Sequence, residues 1–193
     1  MGKSESNKSE PQWMVVDAVR QELRLWIGET LGARLPVSTS RFGLGARSGS
    51  HRTPPGWHRV AERFGQGAPP GTVFRSRKAV DLLSPAAWTQ ADAPDAILSR
   101  IWWLAGDEPG VNAGPGIDSH KRMIYLHGTN QEHLLGRPAS IGCVRLANRA
   151  MIALDTAIDP LDSLRIWIGA APPDTHLFDK SLPPARGEGI LNL

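Results

Sequence analysis

The chain of 193 residues has a single cysteine, Cys143. An internal disulfide is therefore excluded, and Cys143 is either a packed apolar residue or a reactive thiol. Long apolar runs are missing too, since none reaches the roughly 18 residues that a membrane-spanning helix needs. The first twelve residues carry no apolar stretch of the secretory kind and read as a polar tail. On that basis the chain is expected to be cytoplasmic, or periplasmic if a leader has been removed. Met1-Gly2 with Ser6 fits the myristoylation pattern, a short match that nothing else supports. Charge of one sign is scarce: 22 Lys and Arg against 19 Asp and Glu leave a net +3. The basic residues never run longer than two, as in Arg77-Lys78 and Lys121-Arg122, so nothing marks a nucleic-acid partner. No HExxH or CxxC occurs, and His127 with His133 matches no metal-ligand spacing, so neither a metal nor a cofactor is expected. Ser140 lies in no G-x-S-x-G elbow, which argues against a serine hydrolase. Neither a repeat nor a second domain is visible.

Gly and Pro are plentiful, at 20 and 16 residues. Together with 40% hydrophobic residues they point to a β-rich globular domain with many turns. Leu23, Leu25 and Ile27 alternate with Arg24 and Trp26, which predicts a hairpin or a bent strand pair over 13–27. A short strand is expected at 35–40, with Pro36 at an edge or bulge. Residues 41–56 form a loop. Its Gly43–Gly49 run imitates a phosphate-binding loop only superficially, because no βαβ unit surrounds it. Further strands are expected at 57–60, 72–77 and 97–104, the last buried on both faces. Between Lys78 and Asp95 the pattern predicts irregular structure. The acids of the 106–118 loop lack EF-hand spacing and read as solvated charges. Strands at 122–126 and 143–146 follow, and then a helix from Arg149 to about Ile158 capped by Asn148, with Met151, Leu154 and Ile158 on one face. A last strand is expected at 163–168.

The chemistry concentrates between Tyr125 and Arg145. His127 at a strand end and Cys143 at the mouth of the next strand meet if those strands are neighbours. An imidazole there would take the thiol proton and return it to a leaving amine. The Gly128 carbonyl is a candidate to orient the second ring nitrogen. Gly142 lets the main chain approach a substrate, so N–H groups at Gly142 and Cys143 are candidates for an oxyanion hole. Arg145, two residues on, shares the face of Cys143 and is a candidate to hold a substrate carboxylate.

His127-Gly128-Thr129 followed by Ser140-Ile-Gly-Cys-Val-Arg145 resembles the signature of the L,D-transpeptidase catalytic domain, also called YkuD. Val37–Ser40 and the turn Thr53-Pro-Pro-Gly56 resemble further parts of that family, so the likeness spans most of 13–169. The resemblance implies a mostly β, sandwich-like domain with a short helix after the cysteine. Residues 1–12 would be a tail and 170–193 a C-terminal extension. It also implies Cys143 as nucleophile, His127 as base and Gly128 as its orienting carbonyl. Gly142 and Cys143 would form the oxyanion turn, with Arg145, Ser140, Tyr125 and Thr129 as substrate-binding candidates. The substrate implied is the peptidoglycan stem tetrapeptide, cut after the L-centre of meso-diaminopimelate through a thioester. An L,D-carboxypeptidase releasing D-alanine from recycled muropeptides is the expectation. A wall transpeptidase and a non-catalytic wall-peptide binding domain are the alternatives. One departure stands out: Ile141 occupies the place where most members have histidine.

Overall fold

A computed structural model describes residues 12–90, 93–161 and 164–171. Residues 1–11 of the expected tail, 172–193 of the expected extension, and Ser163 at the start of the expected last strand lie outside the described residues. In chain order the strands are β1 (Gln12–Asp17), β2 (Glu22–Ile27), β3 (Thr30–Pro36), β4 (Gly56–Phe64) and β5 (Thr72–Arg75). They continue as β6 (Lys78–Leu82), β7 (Ile97–Gly106), β8 (Tyr125–Thr129) and β9 (Val144–Leu146). The helix α1 (Asn148–Ala157) and the strand β10 (Arg165–Gly169) follow, and short 3-10 turns occupy Pro85–Thr89 and Glu132–Leu134.

The strands are hydrogen-bonded in the order β3-β2-β1-β10-β4-β7-β5-β6, and β8 and β9 branch from β7. Two of the contacts are parallel, β1 with β10 and β8 with β9. The expectation of a mostly β, sandwich-like domain with one short helix holds. Its main core draws Met14 and Val16 from β1, Leu23 and Leu25 from β2, Trp102 and Leu104 from β7, Leu126 from β8, and Val144 and Leu146 from β9. Met151 and Leu154 of α1 close the same core. Side chains alternate across a strand, so this burial turns the intervening residues of β8 and β9 to the other side. Each wholly buried Leu or Met adds about 2 kcal/mol, and the alternation thereby fixes which face carries the chemistry.

Several expectations need correction. The segment from Lys78 is irregular only in part: Lys78–Leu82 forms β6, which pairs with β5, although every one of its five residues is exposed. Without a buried face it leaves no apolar alternation to read. The acids of the 106–118 loop are not simply solvated. Glu108 Oε2 accepts the Trp57 N–H at 2.5 Å, and Asp107 pairs with Arg59 and with Arg165. Asn112 is buried and donates to the carbonyls of Pro55 and Trp57. Residues 120–123 form a turn, so β8 begins at Tyr125 and His127 sits at its centre rather than at an end.

Asn148 does not cap α1. The N-cap residue is Ala147, and Glu132 Oε1 accepts the Asn148 N–H at 2.7 Å in its stead. The carboxylate thus satisfies a helix N-terminal donor from a neighbouring turn, where negative charge also suits the helix dipole.

Candidate active site

The register of β8 on β9 places Leu126 opposite Val144, His127 opposite Arg145 and Gly128 opposite Leu146. Leu126, Val144 and Leu146 belong to the main core. His127 and Arg145 therefore share the opposite face, and Cys143, one residue ahead of β9, lies level with Tyr125. With strands about 4.8 Å apart and a rise of about 3.3 Å per residue, His127 and Cys143 are diagonal neighbours. An imidazole and a thiol can span that gap. Cys143 packs at the edge of a second apolar cluster made by Phe74, Ile101 and Tyr125.

The imidazole of His127 is buried, and its Nδ1 lies 2.7 Å from the Gly128 carbonyl. A carbonyl only accepts, so Nδ1 carries the proton and Nε2 is left with its lone pair. Burial lowers the pKa of His127 to about 4; the Gly128 carbonyl and Asp95 act upward, and Arg145 downward. Burial likewise pushes the Cys143 thiol up to about 11, against a donated hydrogen bond from the Tyr125 backbone. Asp95 adds to the rise, and Arg145 and Arg122 oppose it. At neutral pH the pair is therefore a neutral thiol beside a neutral imidazole. A thiol used as a nucleophile in this setting would need a general base to take its proton, rather than attacking as a preformed thiolate.

The turn before Cys143 is built by Ser140. Its hydroxyl donates to the Cys143 carbonyl at 2.6 Å and accepts the Gly142 N–H at 3.2 Å. Gly142 has φ +139°, a conformation that L side chains rarely adopt, while the space around it is ordinary. Glycine is required there by backbone conformation and not by crowding. Ile141, between the two, is 55% exposed. Arg122 ties the neighbouring loop to the site, donating to the carbonyls of Gly45 (3.2 Å), Ala46 (2.8 Å) and Arg52 (2.7 Å).

The four expected substrate-binding side chains are all engaged within the fold itself. Ser140 is buried, and its hydroxyl is used up in shaping the turn. Thr129 is wholly buried; its hydroxyl accepts the Gln131 N–H at 3.0 Å, and its carbonyl accepts from Asn148. Arg145 is buried, with Nη1 on Gln131 Oε1 at 2.9 Å and Nη2 on Asp95 Oδ2 at 2.5 Å. A substrate carboxylate at Arg145 would compete with Asp95 for Nη2. Tyr125 is also mostly buried, its hydroxyl accepting from Arg77 and its ring set edge-on to Trp103. His127 and Gly128 lie on β8, and Gly142 and Cys143 lead into the adjoining β9, where the Cys143 thiol donates to the Met123 carbonyl at 3.6 Å.

The partners that sequence reasoning missed are Asp95, Gln131, Glu132, Asn148 and Arg122. None lies in a recognisable spacing with Cys143. Among the described residues, no group of three or more His, Cys, Asp or Glu side chains is arranged to hold a metal ion.

The L,D-transpeptidase catalytic domain (YkuD) family matches residues 11–166. The chain belongs to that family. Among solved structures it is similar to the L,D-transpeptidase LdtMt1 in complex with imipenem, with TM-score 0.50, 13% identity, and coverage of 83% of this chain and 59% of that one. It is also similar to Bd1075 of Bdellovibrio bacteriovorus, with TM-score 0.50, 18% identity, and coverage of 86% and 50%. An L,D-transpeptidase of Mycobacterium smegmatis gives TM-score 0.48, 15% identity, and coverage of 83% and 59%. At such identities the likeness shows the fold. The chain spans 50–59% of the length of these relatives. No curated protein matches it.

Proposed function

We propose that the protein is a cysteine acyl-transfer enzyme acting on peptidoglycan stem tetrapeptides at the meso-diaminopimelate–D-alanine bond, with water as the final acceptor. The observation that carries this reading is the 2.7 Å bond from His127 Nδ1 to the Gly128 carbonyl. It leaves Nε2 as the basic atom on the face that Cys143 shares. In the first step the Cys143 proton passes to His127 Nε2 and a sulfur–carbon bond forms at the substrate carbonyl. The Gly142 N–H is held by the Ser140 hydroxyl, so the backbone N–H of Cys143 is the donor this turn offers the oxyanion. The carbon–nitrogen bond then breaks, the proton passes from His127 to the D-alanine amine, and the acyl group remains as a thioester. Water, deprotonated by His127, attacks the thioester; the sulfur leaves and regains the proton, and a tripeptide is released. An amine attacking the same thioester would give a cross-link or an exchanged D-amino acid.

The test is incubation of the protein with disaccharide-tetrapeptide, alone and with added D-amino acid, followed by mass analysis. Tripeptide with free D-alanine supports hydrolysis, and dimers or exchange products in its place replace it with transfer. Cys143→Ser and His127→Ala are expected to lose turnover, and full activity in either sinks the acyl-transfer reading. Binding of the tetrapeptide by Cys143→Ala with no turnover in the wild type would leave a binding domain.

A further inference from the structure

Arg145 stands directly opposite His127 on the adjoining strand, and its side chain is only 4% exposed. Such a buried guanidinium needs a counter-charge, because an unpaired one loses its hydration without return. Asp95 is that partner, at 2.5 Å from Nη2, while Nη1 is held by the neutral Gln131 amide. The placing of Asp95 is built from the far end of β8. Asn130 Nδ2 donates to the Pro94 carbonyl at 2.8 Å, its Oδ1 accepts the Ala96 N–H at 2.8 Å, and Gln131 Nε2 donates to the Ala93 carbonyl at 3.2 Å. Residues 93–96 are thus fastened by the two residues that follow Thr129. The carboxylate of Asp95 is 39% exposed and forms part of the wall of a cavity of about 540 Å³ beside Phe74, Ile97 and Asn130.

We propose that Asp95 is a positioning residue of the reaction: by pairing with Arg145 it cancels the guanidinium charge that flanks His127 and Cys143, and so sets how readily the thiol is unmasked. The charged and titratable groups around the thiol are His127 from β8, Arg145 from β9, Asp95 from the segment before β7, and Arg122 from the turn before β8. Two of them, Arg145 and Arg122, favour the thiolate, and Asp95 opposes it. Opening of the Asp95–Arg145 pair leaves Arg145 and Arg122 acting on the sulfur without the opposing charge of Asp95. A segment held by the Asn130 and Gln131 amides and by the Ala93 N–H on the Gln90 carbonyl, with its carboxylate on a cavity wall, is placed so that a ligand entering that cavity can part it from Arg145.

The proposal rests on the reading of Cys143 and His127 as the reacting pair. Its test therefore uses a readout that needs no turnover: the pH dependence of Cys143 alkylation by iodoacetamide. Asp95→Asn is expected to move the midpoint of alkylation about one pH unit lower. Arg145→Gln should move it higher, and the double variant should return it toward wild type. Asp95→Glu, which keeps the charge, should restore the wild-type midpoint. Coincident midpoints in the wild type and Asp95→Asn overturn the proposal and leave Asp95 a structural tie. Should Asp95→Asn fail to fold with its guanidinium unpaired, Arg145→Gln against the double variant makes the same comparison, and coincidence there is equally fatal. Turnover of tetrapeptide is measured separately. Its absence in a wild-type protein that keeps this order of midpoints would overturn the proposed reaction and leave the role of Asp95 standing.

Discussion

Asn148 stands where a side chain on Gly128 would have to go. A Cβ on Gly128 would lie 2.4 Å from Asn148 Oδ1 and 2.7 Å from the Leu98 carbonyl. Asn148 is itself immobilised, accepting from Ser99 Oγ at 2.8 Å and donating to the Thr129 carbonyl at 2.7 Å and to Glu132 Oε1 at 2.8 Å. The carbonyl that fixes the tautomer of His127 therefore belongs to a residue clamped between β7 and the first turn of α1. Asn148 thus adds a polar tie between the helix and β8 to the core packing of Met151 and Leu154 on Leu126.

Gly128→Ala is accordingly expected to destabilise the fold by about 1–3 kcal/mol, since neither Asn148 nor the Leu98 backbone can give way cheaply. The loss in turnover should exceed what that destabilisation explains, because the Gly128 carbonyl shifts with the strand and the imidazole loses its orientation. Denaturant unfolding and single-turnover acylation, measured on the same preparation below its unfolding midpoint, separate the two effects.

Much of this arrangement could be read in the sequence, and the reasons are physical. Alternation of apolar residues in 23–27 reports one buried face, the apolar run at 97–104 reports two, and both strands are found. The thiol, the imidazole and the two glycines lie in one stretch joined by a parallel strand pair, so they are legible together. The strand β6 was invisible because a wholly exposed strand has no pattern. Asp95 and Asn148 were invisible for another reason. Asp95 is a single polar residue in a Pro-containing segment, brought to Arg145 only by the β5–β7–β8 pairing. Asn148 opens the helix, one residue past the position where asparagine ordinarily caps. Here a tertiary demand, the buried Thr129 carbonyl, takes the side chain away from that use.

Stability should depend on pH in a way that identifies two buried histidines. His127 and His58 both have folded-state values lowered to about 4, chiefly by burial. A histidine held neutral in the fold stabilises it fully above the unfolded value near 6.5, and that contribution is lost as pH falls toward 4. Each can contribute up to about 3 kcal/mol. Cys143 acts oppositely: its value is raised, so its contribution is whole below 9 and is lost as pH rises toward 11. The midpoint of urea unfolding is therefore expected to be highest between about pH 6.5 and 9. His127→Gln and His58→Gln should each flatten the acid slope, and an unchanged slope in both would refute the assignment.

Ser140→Ala removes the hydroxyl that spans the nucleophile turn. The cost in stability is expected to be about 1–2 kcal/mol, for one lost bond and a Gly142 N–H left without its acceptor. The turnover number should fall by one to two orders of magnitude, because the Gly142–Cys143 backbone loses the geometry that an oxyanion needs. Alkylation of Cys143 asks less of that geometry and should change by only a few fold. Equal losses in both assays would mean that Ser140 acts on the sulfur and not on the turn.

Ile141 offers a cleaner separation of binding from folding. It is an apolar side chain left 55% exposed, placed between the turn-building Ser140 and the conformationally required Gly142. Because it buries little in the free protein, Ile141→Ser should leave stability within about 0.5 kcal/mol of wild type. A substrate lying over Cys143 would cover the isoleucine, and losing that contact is worth about 1 kcal/mol. The expected result is a KM for tetrapeptide raised about five-fold with kcat nearly unchanged, the signature of uniform binding lost. A fall in kcat at constant KM would instead place Ile141 in the support of the turn, as the histidine found there in most members would be placed. An unchanged KM and kcat would show that substrate passes the turn on its other side.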